Sequence, residues 1–370
     1  MKNNFTIHRR VLKILLVLVI ISIIGFCIFL GLSISGKNRL YRNSVNKKPD
    51  LASATVQWEE ESESGEGVVD KPIFTPEEDD TNWEEGDLRY KGVHYRYNDQ
   101  MLTFLFLGID KDGTVKEAKN DKDGGQSDAI FLLCLDPKTK VASLIGVNRD
   151  TMTDIDIYSE SGEYLMTTKA QLTLQHGYGD GMELSCERSV DAVSKLFYNL
   201  PIHAYCAINL GAVPKINDAV GGVDVKALET VKSQGKVVFK EGVDYHLKGN
   251  LATIYLQSRD CESFESAGRR TERQKQYLLA YADTAKAAVK KDATLLVSLY
   301  NTITKYMVTD ITLDEVTYFS TQVADYKLDS KHIYSLKGET KMGEKFEEFY
   351  VDEKAMYELI LKVFYDVIED

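Results

Sequence analysis

Uncharged, mostly apolar residues fill the stretch from Ile14 to Ile34. A helix of that length, rising about 1.5 Å per residue, reaches across a hydrocarbon core of about 30 Å. Lys2, Arg9, Arg10 and Lys13 precede it, and it exceeds the apolar core of about 7 to 15 residues of a cleaved signal peptide. It predicts one N-terminal transmembrane helix. From about Lys37 to Tyr97 periodicity disappears, and Glu59 to Asp87 is rich in Glu, Asp, Ser and Gly. Such a composition buries too little apolar surface to offset ordering, which predicts a flexible acidic spacer. Three near-continuous apolar runs follow: Met101–Leu107, Ala129–Asp136 (AIFLLCLD) and Val141–Val147 (VASLIGV). Each has the length and density of a strand buried on both faces. Pro137-Lys138-Thr139-Lys140 between the last two reads as a hairpin turn. Helices are expected over Ser189–Leu200 and Leu251–Leu256, and helical periodicity returns in the tail from Ala293, around Leu313–Val323 and Lys354–Val367.

Polar clusters sit at the ends of the three runs: Gly108 to Asp110, Gln126 to Asp128, and Asn148 to Thr151. If the first strand runs parallel to the third and antiparallel to the second, all three clusters share one sheet edge. Asp110, Asp128, Arg149 and Asp150 then converge where open sheets flanked by helices place ligands. Two carboxylates with an arginine suit a hard divalent cation beside a phosphate, because Mg²⁺ takes one or two carboxylates and completes its shell with substrate oxygens and water. Taken singly, Asp110 also reads as a turn cap and Asp128 as a salt-bridge partner of Arg149. A fourth cluster adds weight to the site: Arg259, Arg269, Arg270 and Arg273 lie within Tyr255–Lys275. Arg270, Arg273 and Gln274 fall at helical spacings, and arginine forks grip phosphate oxygens in pairs. A solvated, charged helix face is the alternative.

Composition changes this picture in a few respects. The formal net charge of −12 in 370 residues arises largely in the acidic spacer, and no basic patch of the kind that grips nucleic acid is present. Cysteines at 27, 134, 186, 206 and 261 show no CxxC spacing, so neither a zinc site nor a redox motif is indicated. Cys134 and Cys206 fall inside strand-like runs and read as small core residues. Lys37, Arg39, Arg42, Lys47 and Lys48 follow the apolar span and leave membrane orientation undecided by charge alone.

The ordered series GID, SDAI, NRDT, LPIHAYCAINL, DAVGGVDV, LKGNLATIYLQSRD and RRTERQK resembles the LytR-CpsA-Psr family of cell-envelope proteins over roughly Met101 to Lys290. The resemblance implies an α/β fold, a mixed parallel and antiparallel central sheet flanked by helices. It implies residues 1–13 inside the cell, a transmembrane helix over 14–34, a spacer over 35–97, an extracellular catalytic domain over 98–290, and a C-terminal α+β extension over 291–370 packed on it. It implies a phosphotransferase moving a glycopolymer, of teichoic acid or capsule type, from a polyprenyl-pyrophosphate carrier at the membrane to a peptidoglycan acceptor. Asp110 and Asp128 correspond to the family's Mg²⁺ ligands, and Arg149, Arg259 and Arg270 to its arginines, with Arg273 and Gln274 close by. Lys169 corresponds to a position facing the site. Asp150 is a candidate general base, or else orients Arg149. Two positions depart from the family pattern, Gln126 and Gln257, where arginines are usual; glutamine still donates a hydrogen bond but carries no charge. Non-catalytic binding of lipid-linked polymer, as sensor or scaffold, and hydrolysis of the pyrophosphate are the alternative functions.

Overall fold

The computed structural model of the chain describes residues 31–42, 47–56, 58, 71–78, 80–118, 124–159, 161–258, 265–292, 295–322 and 325–369. The strands are β1 (Leu88–Tyr90), β2 (Val93–Tyr97), β3 (Leu102–Ile109), β4 (Ser127–Asp136), β5 (Val141–Val147), β6 (Met152–Tyr158), β7 (Tyr164–Gln171), β8 (Ala204–Asn209), β9 (Val223–Lys226), β10 (Val231–Ser233), β11 (Lys236–Phe239), β12 (Asp244–Leu247), β13 (Met307–Thr309), β14 (Ile333–Ser335), β15 (Gly338–Met342), β16 (Glu347–Val351) and β17 (Tyr365–Ile368). The helices are α1 over residues 31–42, then α2 (Glu183–Leu196), α3 (Val213–Ala219), α4 (Asn250–Gln257), α5 (Ser266–Lys291), α6 (Leu295–Ile303), α7 (Leu313–Gln322) and α8 (Glu353–Phe364). The chain divides into two compact units, Met1–Val45 with Ile311–Tyr326, and Asn46–Asp310 with Lys327–Asp370.

In the first unit Ser35 Oγ donates to Asp314 Oδ2 at 2.9 Å, and Arg39 Nε lies 3.7 Å from Glu315 Oε1. Among the described residues no helix is long and apolar enough to cross a membrane; residues 14–30 of the expected span lie outside them.

The second unit is built on a six-stranded sheet in the order β13-β8-β3-β4-β5-β14. The three apolar runs form β3, β4 and β5. β3 pairs antiparallel with β4, and β4 with β5, so β3 and β5 run the same way, and parallel pairs β3-β8 and β5-β14 make the sheet mixed. One face, with Leu105, Leu107, Ile109, Ile130, Leu132, Cys134, Ile145 and Val147, shares a core with Val193 of α2 and Ile360 of α8. The opposite face meets α5 at Gly146, where an added Cβ would lie 3.1 Å from Thr271 Cγ2 and 3.4 Å from Lys275 Cδ. Helix α5 reaches the sheet that closely because Gly146 has no side chain. A second core joins β9 and α4 to α5 through Val223, Phe239, Tyr255 and Tyr277.

Four expectations are corrected. The spacer read over 35–97 is ordered in part: Leu88-Arg89-Tyr90 and Val93 to Tyr97 form a hairpin through Lys91-Gly92, both at positive φ. Leu51, Leu88 and Tyr90 are buried, and Trp58 packs edge-on against Tyr357 with ring centroids 5.3 Å apart. These apolar residues are too scattered for a periodic signal yet find partners on α8. The tail does more than pack on the domain, because β13 and β14 are edge strands of the central sheet. The helix expected over Lys354–Val367 ends at Phe364, since Tyr365–Ile368 pairs antiparallel with β2. The helix expected over Ser189–Leu200 begins at Glu183 and ends at Leu196, where Tyr198 and Asn199 take left-handed backbone angles.

Cys134, Cys186 and Cys206 are free, buried thiols. His203 is also enclosed: its Nδ1 accepts from Thr103 N at 3.1 Å, and its Nε2 has no hydrogen-bond partner among the described residues. Burial, the main cause, pulls its pKa from 6.5 down to about 4. Between these values the unfolded chain takes up a proton that the folded chain refuses. Unfolding free energy therefore falls as pH drops through that window, by about 1.4 kcal/mol per unit from this residue. Urea midpoints measured from pH 7 to pH 4 should show a shallower decline in His203→Asn, which keeps an acceptor near Nδ1 but does not titrate. An identical slope in both proteins would assign the acid sensitivity elsewhere.

Candidate active site

The site forms where three strand ends meet. At the end of β3, Asp110 N donates to Gln126 O at 3.1 Å, and Asp110 Oδ1 accepts from Gln126 N at 2.7 Å. Gly125 makes this tight exchange possible. Its φ is +78°, and a Cβ there would lie 2.7 Å from Ile109 Cγ2 and 3.1 Å from Asp110 Oδ1. His176, on a 3₁₀ turn over Leu172–Tyr178, supports the same loop with Nδ1 3.1 Å from Gly125 O. Burial lowers the His176 pKa, which keeps the ring neutral with Nδ1–H as donor; Cys186 Sγ lies 4.0 Å from Nε2. Beside these residues is a cleft of about 370 Å³, lined by Asp110, Lys111, Gly125, Gln126, Leu174, Gly177 and Tyr178.

Two residues into β4, Asp128 lies between two guanidinium groups. Arg149 Nη1 donates to Asp128 Oδ1, and Arg149 Nη2 donates to Gln126 Oε1 at 2.7 Å. Arg270 Nη1 donates to Asp128 Oδ2 and Nη2 to the Asp128 carbonyl, each at 3.1 Å. The Arg270 side chain is 4% exposed and that of Arg149 13%, so these charges are only partly screened by water. Arg149 projects from a turn in which Asp150 N donates to Asn148 Oδ1 at 3.0 Å and Thr151 N to Asn148 O at 3.1 Å. Asp150 itself is buried. Its Oδ1 accepts from Gln171 Nε2 at 2.9 Å and lies 3.4 Å from Arg149 Nε, whose N–H is not aligned for a hydrogen bond. These contacts serve the orientation of Arg149.

The remaining candidates disperse. Arg273 is fully buried and turned toward α4: Nη1 donates to Tyr255 O, Nη2 to Ser258 O, and Nε lies 2.8 Å from Glu229 Oε1 without hydrogen-bond alignment. Gln274 Nε2 donates to Leu256 O at 3.1 Å, and Arg269 Nε to Glu229 Oε2 at 3.1 Å. Gln257 is exposed at the end of α4. Lys169 is exposed and pairs with Asp154 at 3.1 Å. It shares a strand face with Gln171, two residues on. Arg259 lies outside the described residues. Gln171 and Glu347, which carry no local sequence signal, also reach the site: Gln171 Nε2 donates to Glu347 O at 2.7 Å. His176 had a faint signal in the His-Gly-Tyr-Gly run, where glycines beside a histidine mark a close turn.

Placed together, Asp110, Asp128, Arg149 and Arg270 offer oxygen ligands and fixed guanidinium donors at one sheet edge. That set suits an anionic, phosphate-bearing ligand.

The sequence model of the LytR_cpsA_psr family matches residues 75–362. A Bacillus cereus (strain ATCC 14579) protein named polyisoprenyl-teichoic acid–peptidoglycan teichoic acid transferase TagU is 30% identical over 270 residues, covering 71% of this chain and 77% of that protein. The crystal structure of B. subtilis TagV is similar at a TM-score of 0.54 and 23% identity, over 71% of this chain and 95% of that one. A structure described as TagT bound to LI-WTA is similar at 0.51 and 21% identity, over 71% and 89% of the two chains. These structures share the fold.

Proposed function

The chain belongs to the LytR-CpsA-Psr family, and we propose that it is a transferase that moves a polyprenyl-pyrophosphate-linked glycopolymer, of teichoic acid or capsule type, onto a peptidoglycan hydroxyl. The apolar run Ile14–Ile34 anchors it, which keeps the folded domain, outside the cell, beside a carrier embedded in the same bilayer. The name of the B. cereus relative supports both the donor and the acceptor class. The observation that carries the reading is Asp128 held between Arg149 and Arg270, two residues along the strand from the loop that bonds Asp110.

The acceptor oxygen attacks the phosphorus that bears the glycopolymer, forming a new P–O bond. The P–O bond to polyprenyl phosphate breaks, that phosphate leaves with the electron pair, and the hydroxyl proton passes to solvent. Such a transfer needs positioning and neutralisation of charge on oxygen more than a covalent nucleophile. Arg149 and Arg270 supply that neutralisation from a part-buried edge, where fixed donors act more strongly than in water.

The donor set also fits a divalent ion. Among the described residues no three His, Cys, Asp or Glu side chains cluster as metal ligands, so an ion here would rest on two carboxylates and substrate oxygens, the habit of Mg²⁺. Asp110 and Asp128 would hold it; a carboxylate has about four lone-pair positions, so Asp128 can accept from both arginines and still offer one. Bound there, Mg²⁺ would neutralise pyrophosphate charge.

Polymer binding without transfer is the second reading, favoured by Gln126. Its carbonyl oxygen turns inward to accept from Arg149, so this position braces an arginine instead of adding one. The full-length chain in detergent, given a polyprenyl-pyrophosphate-linked sugar, Mg²⁺ and peptidoglycan fragments, should release polyprenyl phosphate and join the sugar phosphate to the acceptor, and stop when EDTA is added. Tight donor binding with no release would leave a binder. Release that yields free sugar phosphate instead of modified acceptor would make it a hydrolase.

A further inference from the structure

We infer that the C-terminal hairpin β15-β16 is a brace that sets the spacing of Arg149 and Arg270 on Asp128, with Gln171 and Glu347 as its positioning residues. The inference deepens the proposed transferase reading and rests on it for its kinetic consequence.

The hairpin belongs to neither the central sheet nor the two arginine-bearing elements, yet β16 bonds to both. Toward the Arg149 turn, Phe349 N donates to Asp150 O at 2.9 Å, and Thr151 and Phe349 form a parallel bridge. Gln171 ties the same junction through one amide nitrogen, donating to Asp150 Oδ1 at 2.9 Å and to Glu347 O at 2.7 Å. Toward α5, Glu347 Oε1 accepts from Glu265 N at 2.9 Å. Glu265 is the left-handed residue (φ +59°) that precedes the first turn of α5, and Arg270 follows five positions later on that helix.

Glu347, through Gln171, therefore links the turn that carries Arg149 to the start of the helix that carries Arg270. Without the brace, the two guanidinium groups would be set relative to each other by Asp128, which they share, by Gln126 on Arg149, and by the packing of α5 on β5 at Gly146. A carboxylate that also has to serve a cation is a weak template for that spacing. A second linkage behind the arginines keeps their spacing when Asp128 changes partners, and such preorganisation matters because a misplacement of about 1 Å costs about a hundredfold in rate.

The test uses the full-length chain in detergent with a polyprenyl-pyrophosphate-linked sugar as donor. Gln171→Leu and Glu347→Ala should each lower kcat by about a hundredfold with KM and the thermal midpoint near wild type. Glu347→Gln, which keeps the acceptor for Glu265 N, should retain wild-type kcat. Hydrogen exchange gives an independent reading: Gln171→Leu should speed exchange of the Phe349 amide and, across the hairpin, of the Glu265 amide. Wild-type kcat in Gln171→Leu, equal losses in Glu347→Gln and Glu347→Ala, or exchange changes confined to residues 148–151 would each overturn the brace. If the wild-type chain does not turn over at all, the transferase reading has failed, and the exchange coupling alone decides the brace.

Discussion

Asp128→Ala is expected to lower transfer by about a thousandfold or more, the scale of losing a main charge-positioning group, and to lower folding stability by about 3 kcal/mol. The two effects have different origins. Arg270 is buried with its guanidinium on Asp128 Oδ2 and the Asp128 carbonyl. Removing the carboxylate strands a cation in a medium that screens it poorly, and a broken buried pair costs more than the pair contributes. The catalytic loss comes instead from freeing Arg149 and Arg270 to adopt other spacings and from deleting one of two carboxylates at the edge. Arg270→Gln added to Asp128→Ala separates them. The double variant should regain most of the lost stability, measured by urea unfolding, because the more deeply buried Arg270 cation is gone and Arg149 keeps Asp150 beside it; turnover should stay at the level of the single variant. Recovery of turnover together with stability would show that Asp128 acts only by keeping the fold intact.

The parts of this site visible in sequence are those fixed by strand order. Continuous apolar runs marked β3, β4 and β5, and the hairpin Pro137–Lys140 fixed the direction of two of them. Given an antiparallel first strand, the ends carrying Asp110, Asp128 and Arg149 would share an edge; β3 does pair antiparallel with β4, and Asp128 and Gln126 both contact Arg149. Helical spacing was a weaker guide. It placed Arg270, Arg273 and Gln274 on one broad face, but a face is wide enough to meet two neighbours. Arg270 meets Asp128, while Arg273 and Gln274 meet the carbonyls of α4. Strands of three residues such as β14 leave no periodic trace, and the same holds for β13. Their place in the sheet depends on segments far away in sequence, β8 for β13 and β5 for β14. Gln171 and Glu347 were invisible for a related reason. Their hydrogen-bond partners are set by which hairpin lies beside the Arg149 turn, a tertiary choice that no local pattern encodes.

Arg273→Ala should be the most destabilising single change in the α4-α5 region, at about 3 to 5 kcal/mol. Its guanidinium is 1% exposed, and burial, the largest influence, pulls its pKa below the ordinary value while Glu229 opposes that pull. The charge is held in place by what it does for α4. The last carbonyls of a helix have no partner within it, and Arg273 donates to those of Tyr255 and Ser258 while pairing with Glu229. Its guanidinium carbon also lies 5.6 Å from the centroid of the Tyr255 ring. Truncation therefore takes one of two cations from the half-buried Glu229 carboxylate, which keeps Arg269, and leaves two carbonyls without donors and a cavity. Lysine should rescue little, since a single ammonium cannot span two carbonyls and a carboxylate with the fixed fork of arginine. Replacing both partners, Arg273→Met with Glu229→Gln, should recover more stability than either lysine or alanine at 273, because methionine refills the space and no carboxylate is left short of a cation. Urea unfolding of the four proteins checks the order. A loss below about 1 kcal/mol in Arg273→Ala, the range of exposed pairs, would show that solvent reaches this guanidinium, and its assignment as the clamp of α4 would fall.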